Sequence, residues 1–214
     1  MQLTVIDSTS KNEKVRVSDT LFSSATSNVL LAQAIRVYLS NLRQGTSHTK
    51  TRSEINRTKK KWYKQKGTGN ARHGARTPNI FVGGGVSHGP RGIENWAKTL
   101  TAKSKLLALK IAFSAQKNNL FLSKDLSSLK GKTSEAAKLL AVASKKDDKV
   151  LVVLAKNSSL VLRSLRNMEN ILVMTADRIN ALHVAMADKI IIELTALKVL
   201  EERMLKVKKT TLKK

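Results

Sequence analysis

The sequence contains no cysteine, so disulfide bonds, thiolate nucleophiles and thiolate metal sites are excluded together. Aromatic residues make up only 4% of the chain, and only two residues are proline. No apolar run approaches the roughly 18 residues that a membrane-spanning helix needs. Residues 1–7 show no basic leader followed by an apolar block, so we expect no secretory signal and a protein that stays inside the cell.

Acidic residues are also scarce. The chain has 15 Asp and Glu against 40 Lys and Arg, which gives a formal net charge of +25 and a pI near 10.6. Such a chain repels itself unless a polyanion neutralises it, and RNA or DNA is the commonest polyanion. A membrane surface is a weaker alternative, because the basic residues do not collect on one face of an amphipathic helix. The composition therefore predicts a nucleic-acid partner and no membrane.

Glycine, proline and histidine are concentrated in one stretch, Gly45 to Gly92. It holds nine of the ten glycines, both prolines, three of the four histidines, eleven Lys or Arg, and a single acid, Glu54. Because it has too few apolar side chains to offset the entropy of ordering it, we expect that it does not fold on its own. As a hairpin, each arm could reach at most about 80 Å at roughly 3.3 Å per residue, far enough to thread into a folded RNA.

The residues on both sides of this stretch have the pattern of a globular domain. Leu31, Ile35, Tyr38 and Leu42 recur at helical spacing before Gly45 and predict a first long helix. Further on, strands alternate with helices, and strands that are apolar on both faces are typical of a covered parallel sheet. The predicted elements are a helix over 99–118, strand 120–122, helix 134–143, strand 150–155, helix 159–167, strands 171–174 and 189–193, and a helix over 195–207.

We therefore predict an α/β fold with a mainly parallel sheet flanked by helices, and a long extended basic loop inserted after the first long helix. The globular domain would comprise residues 1–44 and 93–207, the basic loop residues 45–92, and a basic tail residues 208–214. Loops of this length are uncommon in compact domains and are usually functional or disordered.

The residue types of the basic loop suit contact with RNA. Arg binds phosphate bidentately, Lys binds it as a point charge, and glycine lets the backbone approach a ligand closely. Taken singly, the lysines could be a solvated charge run or a nuclear-localisation stretch, and Trp62 could anchor the loop on its own domain rather than stack on a base. Interleaved over the whole loop they favour RNA, and the candidate RNA-binding residues are Lys50, Arg52, Arg57, Lys59, Lys60, Lys61, Trp62, Tyr63, Lys64, Lys66, Gly67, Gly69, Arg72, His73, Arg76, Gly83, Gly84, Gly85, His88 and Arg91.

Three sequence elements of the loop follow one another in a specific order. They read TKTRSE at residues 49–54, WYKQKGTGNARHG at residues 62–74 and GGGVSHGP at residues 83–90. In order and spacing they closely resemble the signature of the large-subunit ribosomal protein L-four family, bacterial type. The remaining α/β elements follow the family's order, so the resemblance covers most of the chain. Asn70 stands where the family usually has Arg, and Phe81-Val82 stands where Trp-Arg is common.

The resemblance implies a structural protein and not an enzyme. The α/β domain would dock on the outer surface of the large subunit, the loop would penetrate the large-subunit rRNA, and the protein would support early subunit assembly. Its partners would be the rRNA, neighbouring large-subunit proteins and the nascent polypeptide, with no cofactor beyond Mg²⁺ held by the rRNA. Its location would be the ribosome in a bacterial cytoplasm, or an organellar ribosome. The loop tip would help line the nascent-peptide exit tunnel, with Lys64, Gln65, Lys66, Gly67, Thr68, Gly69, Asn70, Ala71 and Arg72.

Catalytic and metal-binding motifs are weak by comparison. Residues 85–89 match the G-x-S-x-G pattern of hydrolases, with Ser87 as nucleophile and His183 as its base, but residues 89–92 (GPRG) cannot begin the helix that must follow. We expect His183 to be a partly buried residue of a helix or turn. No zinc site is expected either, because the loop histidines are irregularly spaced without supporting carboxylates: His48, His73 and His88.

Three function classes remain, in order of preference. The first is a ribosomal structural protein, the second a free regulator that binds a DNA or mRNA hairpin, and the third a hydrolase that uses Ser87. The salt dependence of binding distinguishes the first two classes. A ribosomal protein should co-sediment with large subunits at moderate salt, whereas a loosely bound regulator should dissociate steeply as salt rises.

Overall fold

Apolar residues at helical spacing form the first long helix, α1 (Asn28–Asn41), which begins after Ser27. The Ser27 side-chain oxygen accepts a hydrogen bond from Leu30 N–H at 3.5 Å, as an N-cap residue does. The helix ends at Asn41, four residues before the predicted stop at Gly45. Gly45 has a left-handed backbone with φ of 66°, which does not continue a helix. The structure is a computed structural model that describes residues 2–6, 13–18, 22, 27–145 and 147–210, with side chains of the last helix described up to Met204.

Within these described residues, six strands form one sheet in the order β2-β1-β3-β6-β4-β5. Strands β1 and β2 pair antiparallel, and every other neighbouring pair is parallel. The predicted α/β class with a mainly parallel sheet flanked by helices is confirmed. The strands are β1 (Gln2–Ile6), β2 (Lys14–Arg16), β3 (Leu120–Ser123), β4 (Val150–Leu154), β5 (Ile171–Thr175) and β6 (Lys189–Glu193).

Five helices follow α1 in the described chain, and short 3-10 turns flank β3 at Lys117–Asn119 and Asp125–Ser128. The last helix extends three residues beyond the predicted end at 207, and residues 211–214 of the predicted basic tail lie outside the described residues. None of the described helices combines the length and hydrophobicity that crossing a bilayer requires. The five helices are α2 (Ala102–Ala115), α3 (Thr133–Ala141), α4 (Ser159–Leu165), α5 (Ala181–Met186) and α6 (Leu194–Thr210).

The central strands are apolar on both faces because a separate hydrophobic cluster covers each face. In β4, Leu151 and Val153 belong to a cluster with residues of α2, α5 and α6. Val150, Val152 and Leu154 belong to a second cluster, with residues of α3 and α4. Alternate residues of a strand point to opposite faces, so one apolar run supplies both clusters.

The chain divides into two units by its internal contacts. The α/β unit comprises Met1–Tyr38 with Thr99–Lys214, and the loop unit comprises Leu39–Lys98. The predicted basic loop, residues 45–92, lies inside the loop unit. The assignment of separate roles to these parts stays a prediction.

Candidate nucleic-acid interface

The two ends of the basic loop are joined at its base. His48 and Arg91 form an antiparallel bridge, and Thr49 N–H donates to the Pro90 carbonyl oxygen at 2.8 Å. The His48 Nδ1 atom lies 2.7 Å from the Arg91 carbonyl oxygen. The chain therefore enters and leaves the loop at neighbouring points.

Beyond its base, the loop has no helix or strand between residues 50 and 90, all of which the structure describes. Its two arms are instead linked by single hydrogen bonds. Val86 N–H donates to the Lys50 carbonyl at 3.0 Å across the two arms, and within the second arm Gly85 N–H donates to the Thr77 carbonyl at 2.9 Å. Thr77 is one of the few buried polar residues of the described chain.

Arg57 connects the two arms through its side chain. Its Nη1 atom donates to the Val82 carbonyl at 2.7 Å and to the Arg76 carbonyl at 3.3 Å. A guanidinium can serve two acceptors at once because its N–H groups form a rigid fork. Arg57 was predicted as an RNA-binding residue from its charge alone, and the structure gives its side chain these contacts inside the loop.

An aromatic cluster lies further along the loop. The Trp62 and Phe81 ring centroids are 5.1 Å apart, and the His73 and Phe81 centroids are 4.9 Å apart, both edge to face. The Arg76 guanidinium lies 4.4 Å from the centre of the Trp62 ring, a cation–π distance. Trp62 still exposes 44% of its surface. Charge counting did not reveal this cluster, whose members are up to 19 residues apart in sequence.

Removal of the Phe81 ring should open this cluster. In a Trp96→Phe background, Trp62 is the remaining tryptophan of the two in the sequence. There, Phe81→Ala removes edge-to-face pairs worth about 0.5–1.5 kcal/mol each and should expose more of the Trp62 ring to water. Trp62 emission should therefore shift to longer wavelength. Val82→Ala is the matched control, since Val82 is 96% exposed. Identical emission spectra of the two variants would contradict the cluster.

Every residue of the predicted loop tip, 64–72, is exposed. Gly67 and Gly69 have left-handed backbones with φ of 82° and 68°, which glycine adopts without steric cost. Behind the tip, the Tyr63 hydroxyl donates to the Ala71 carbonyl, and Trp62 N–H donates to the Gly74 carbonyl at 2.9 Å. These bonds join the chain on either side of the tip into a closed turn.

The positive charge of the loop is accessible and unpaired. None of its Lys or Arg residues forms an ion pair with a carboxylate of the described residues. The Thr51 backbone N–H and hydroxyl hydrogen-bond to Glu54 and hold the pKa of its carboxyl below the usual value. Arg57 is half-buried, and the exposed basic residues are Lys50, Arg52, Lys59, Lys60, Lys61, Lys64, Lys66, Arg72, Arg76 and Arg91.

The remaining predicted site residues differ in accessibility. Tyr63, His73 and Gly84 are half-buried, Gly85 is buried, and Gly83 and His88 are exposed. His88 has a left-handed backbone with φ of 53°, which is uncommon for a residue with a side chain.

The hydrolase pattern at Ser87 lacks its structural context. Neither a strand before Ser87 nor a helix after it occurs in residues 50–98, all of which are described. His183 lies half-buried on α5, as predicted, and its N–H donates to the N-cap residue Asn180. Among the described residues, no three His, Asp or Glu side chains are grouped to hold a metal ion.

His183 should make folding stability depend on pH. Burial lowers its pKa, and its buried Nδ1 atom has no hydrogen-bond partner among the described residues. Because the unfolded chain binds this proton more readily, stability should fall as the pH drops below about 6.5 and through the lowered pKa of the folded state. Chemical denaturation at pH 7.5 and pH 5 should show a smaller loss for His183→Gln than for the parent. Equal losses would exclude His183 as a source of the pH dependence.

The chain is similar to a family of known proteins over most of its length. A profile of the Ribosomal protein L4/L1 family matches residues 15–203. The chain belongs to this family. Proteins named large ribosomal subunit protein uL4 are similar to it over most of their length. The Aquifex aeolicus protein is 37% identical over 182 residues, which are 84% of this chain and 91% of the relative.

Two further relatives from other bacteria, also named large ribosomal subunit protein uL4, match the chain to a similar extent. The Campylobacter lari protein is 38% identical over 165 residues, 76% of this chain and 80% of the relative. The Prochlorococcus marinus (strain MIT 9215) protein is 34% identical over 196 residues, 90% of this chain and 92% of the relative. The family identification made from the loop signature is confirmed, and with it the assignment as a large-subunit ribosomal protein and not an enzyme.

Proposed function

We propose that this member of the L4/L1 family binds large-subunit rRNA mainly through its basic loop, and that it supports early assembly of the subunit. The observation that carries the proposal is the unpaired charge of the loop. Ten of its eleven basic residues are exposed, none is ion-paired with a described carboxylate, and only Glu54 opposes them. Cations that contact phosphates release condensed counterions, which drives binding.

The loop architecture suits insertion among RNA helices. Its arms are held by single hydrogen bonds, by Arg57 and by the aromatic cluster, so they remain narrow without a sheet or helix. A narrow, cationic projection can approach phosphates from several RNA segments at once. Arg57 and Trp62 then position the loop, and the exposed Lys and Arg side chains contact the phosphates.

The tip is proposed to line the nascent-peptide exit tunnel. Residues 64–72 expose three cations, Lys64, Lys66 and Arg72, and small or polar residues between them. Such a surface presents charge and hydrogen-bonding groups to a passing polypeptide, with no apolar side chain larger than Ala71 to retain it. The nascent chain is therefore a proposed partner of the tip.

The α/β unit is proposed to dock on the subunit surface, against rRNA and neighbouring large-subunit proteins. It contributes the two hydrophobic clusters, which contain no residue from 39–98. A folded domain that docks on the subunit can anchor the loop while the loop enters RNA. The location of the protein would then be the ribosome of a bacterium or an organelle.

Sedimentation tests the proposal. A tagged full-length chain should sediment with large subunits and remain there after a wash in moderate salt, because contacts distributed over loop and domain dissociate only together. A free regulator of a DNA or mRNA hairpin would instead be released steeply as salt rises. Release of the tagged chain from intact large subunits by that wash would overturn the proposed rRNA-binding function.

A further inference from the structure

Strand β5 is an open edge of the sheet, since β4 is its only partner among the described strands. Val150 N–H donates to the Asn170 carbonyl at 2.8 Å, and Ala176 N–H donates to the Leu154 carbonyl at 2.9 Å. In a parallel pair, alternate residues of a strand bond to the same neighbour. The peptide groups of Ile171, Val173 and Thr175 therefore point away from β4.

Local turns use only some of these outward groups. Ile171 N–H donates to the Met168 carbonyl, and the Thr175 carbonyl accepts from Arg178 and Ile179 N–H. The outward N–H and carbonyl of Val173 bond to no described strand, and neither does Thr175 N–H. An open strand of this kind binds another extended peptide by continuing the sheet.

An apolar groove adjoins β5 on each face of the sheet. One, of about 410 Å³, is lined by Leu140, Met168 and Ile171 on the face covered by α3 and α4. The other, of about 250 Å³, is lined by Leu172 and Met186 on the face covered by α5. Leu172 and Met186 are 45% and 56% exposed. An added strand points alternate side chains to opposite faces and could fill both grooves.

The charge of this region argues against RNA as the occupant. The charged residues that line the two grooves balance, Lys145 and Lys149 against Asp148 and Glu169, although the whole chain carries +25. A phosphate backbone gains little attraction at such a surface. A second copy of the chain would bring its own net charge of +25 against the first.

We propose that the β5 edge docks an extended segment of another large-subunit protein, which adds as a seventh strand and places alternate apolar side chains in the two grooves. The inference rests on the proposed ribosomal function. It assigns a protein partner to the β5 edge, where the charges that line the grooves balance, whereas the basic loop binds rRNA.

Photo-cross-linking in assembled subunits tests this docking. A tagged full-length chain with p-benzoylphenylalanine in place of Leu172 is assembled in cells, and large subunits are isolated on a sucrose gradient and irradiated. After nuclease digestion, mass spectrometry should identify one other ribosomal polypeptide, cross-linked within a segment that is apolar at alternate positions. A nuclease-sensitive product, a product with the mass of two copies, or no product from intact subunits would overturn the inference.

A second substitution tests strand addition itself. Val173→Pro removes an outward N–H and no bond to β4, so the cross-link yield should fall about fivefold or more, because an unmade peptide hydrogen bond weakens binding by at least that factor. Val173→Thr keeps the N–H and should retain the yield. An unchanged yield with Val173→Pro would overturn strand addition. A tagged chain that fails to sediment with large subunits would instead overturn the proposed function, and this inference with it.

Discussion

Deletion of residues 50–89 should abolish tight rRNA binding while the α/β unit remains folded. The deletion is geometrically mild because Thr49 N–H bonds to the Pro90 carbonyl at 2.8 Å, so a short Gly-Ser linker can join the ends. Both hydrophobic clusters lie outside residues 39–98, so no core side chain is lost. The deleted residues include ten Lys or Arg and one acid.

The expected loss can be read from salt dependence. If about six of these cations contact phosphates, the parent should lose roughly a thousandfold in affinity between about 50 and 200 mM salt. The deleted chain should bind large-subunit rRNA more weakly at low salt, with a slope of log affinity against log salt smaller by about 5. Filter binding measures the slope, and circular dichroism with thermal unfolding measures the fold.

A charge-only variant separates charge from shape. Replacement of Lys59, Lys60, Lys64 and Lys66 by Gln keeps Lys61, whose Nζ donates to Gln65 and to the His73 carbonyl, and should reduce the slope by about 3. Unfolding of the α/β unit in the deleted chain would contradict the division into a domain and a basic loop. If the deleted chain kept the slope of the parent, the loop would not be the principal RNA contact.

The sequence predicted the central sheet well because its signal is local. Strands β4 and β6 are short, continuous apolar runs, and helices α3 and α6 have clear apolar periodicity. It did not predict β1, in which the polar residues Gln2 and Thr4 interrupt the apolar run, or β2, which has three residues. It also did not predict α5, whose six residues are less than two turns. The antiparallel β1–β2 pair also makes the sheet mixed at one edge.

The charge of the loop was evident from its sequence, but its internal contacts were not. A count of cations does not reveal that Arg57 bonds to two carbonyl groups, because its acceptors are 19 and 25 residues away in sequence. The same holds for Trp62, whose ring packs against Phe81. Composition predicted too little apolar surface for a core, and a few polar and aromatic contacts between the arms take the place of one.

Two consecutive glycines of the loop, Gly84 and Gly85, lie against backbone atoms and should be highly sensitive to a small side chain. Gly85 is buried, and a Cβ atom added to it would overlap the backbone nitrogen of Arg52 on the opposite arm. A Cβ atom on Gly84 would overlap the Pro78 carbonyl oxygen. Because these neighbours are backbone atoms, rotation of a side chain cannot relieve the overlap. The arms must separate, so the bond from Val86 N–H to the Lys50 carbonyl should be lost, and the shift of residue 85 should weaken its bond to the Thr77 carbonyl.

Gly85→Ala should therefore disturb the loop by about 1–3 kcal/mol, the range found for overpacking, and lower rRNA affinity by about tenfold or more. Gly74→Ala is the matched control: its added Cβ meets no atom within 4 Å and its φ is not left-handed, so binding should match the parent. Amide hydrogen exchange at residues 85 and 86 should be faster in Gly85→Ala than in the parent or Gly74→Ala. Exchange in the α/β unit should be the same in all three. If both variants bind like the parent, close contact between the arms is not required for the loop to bind RNA, and its charge alone accounts for the affinity.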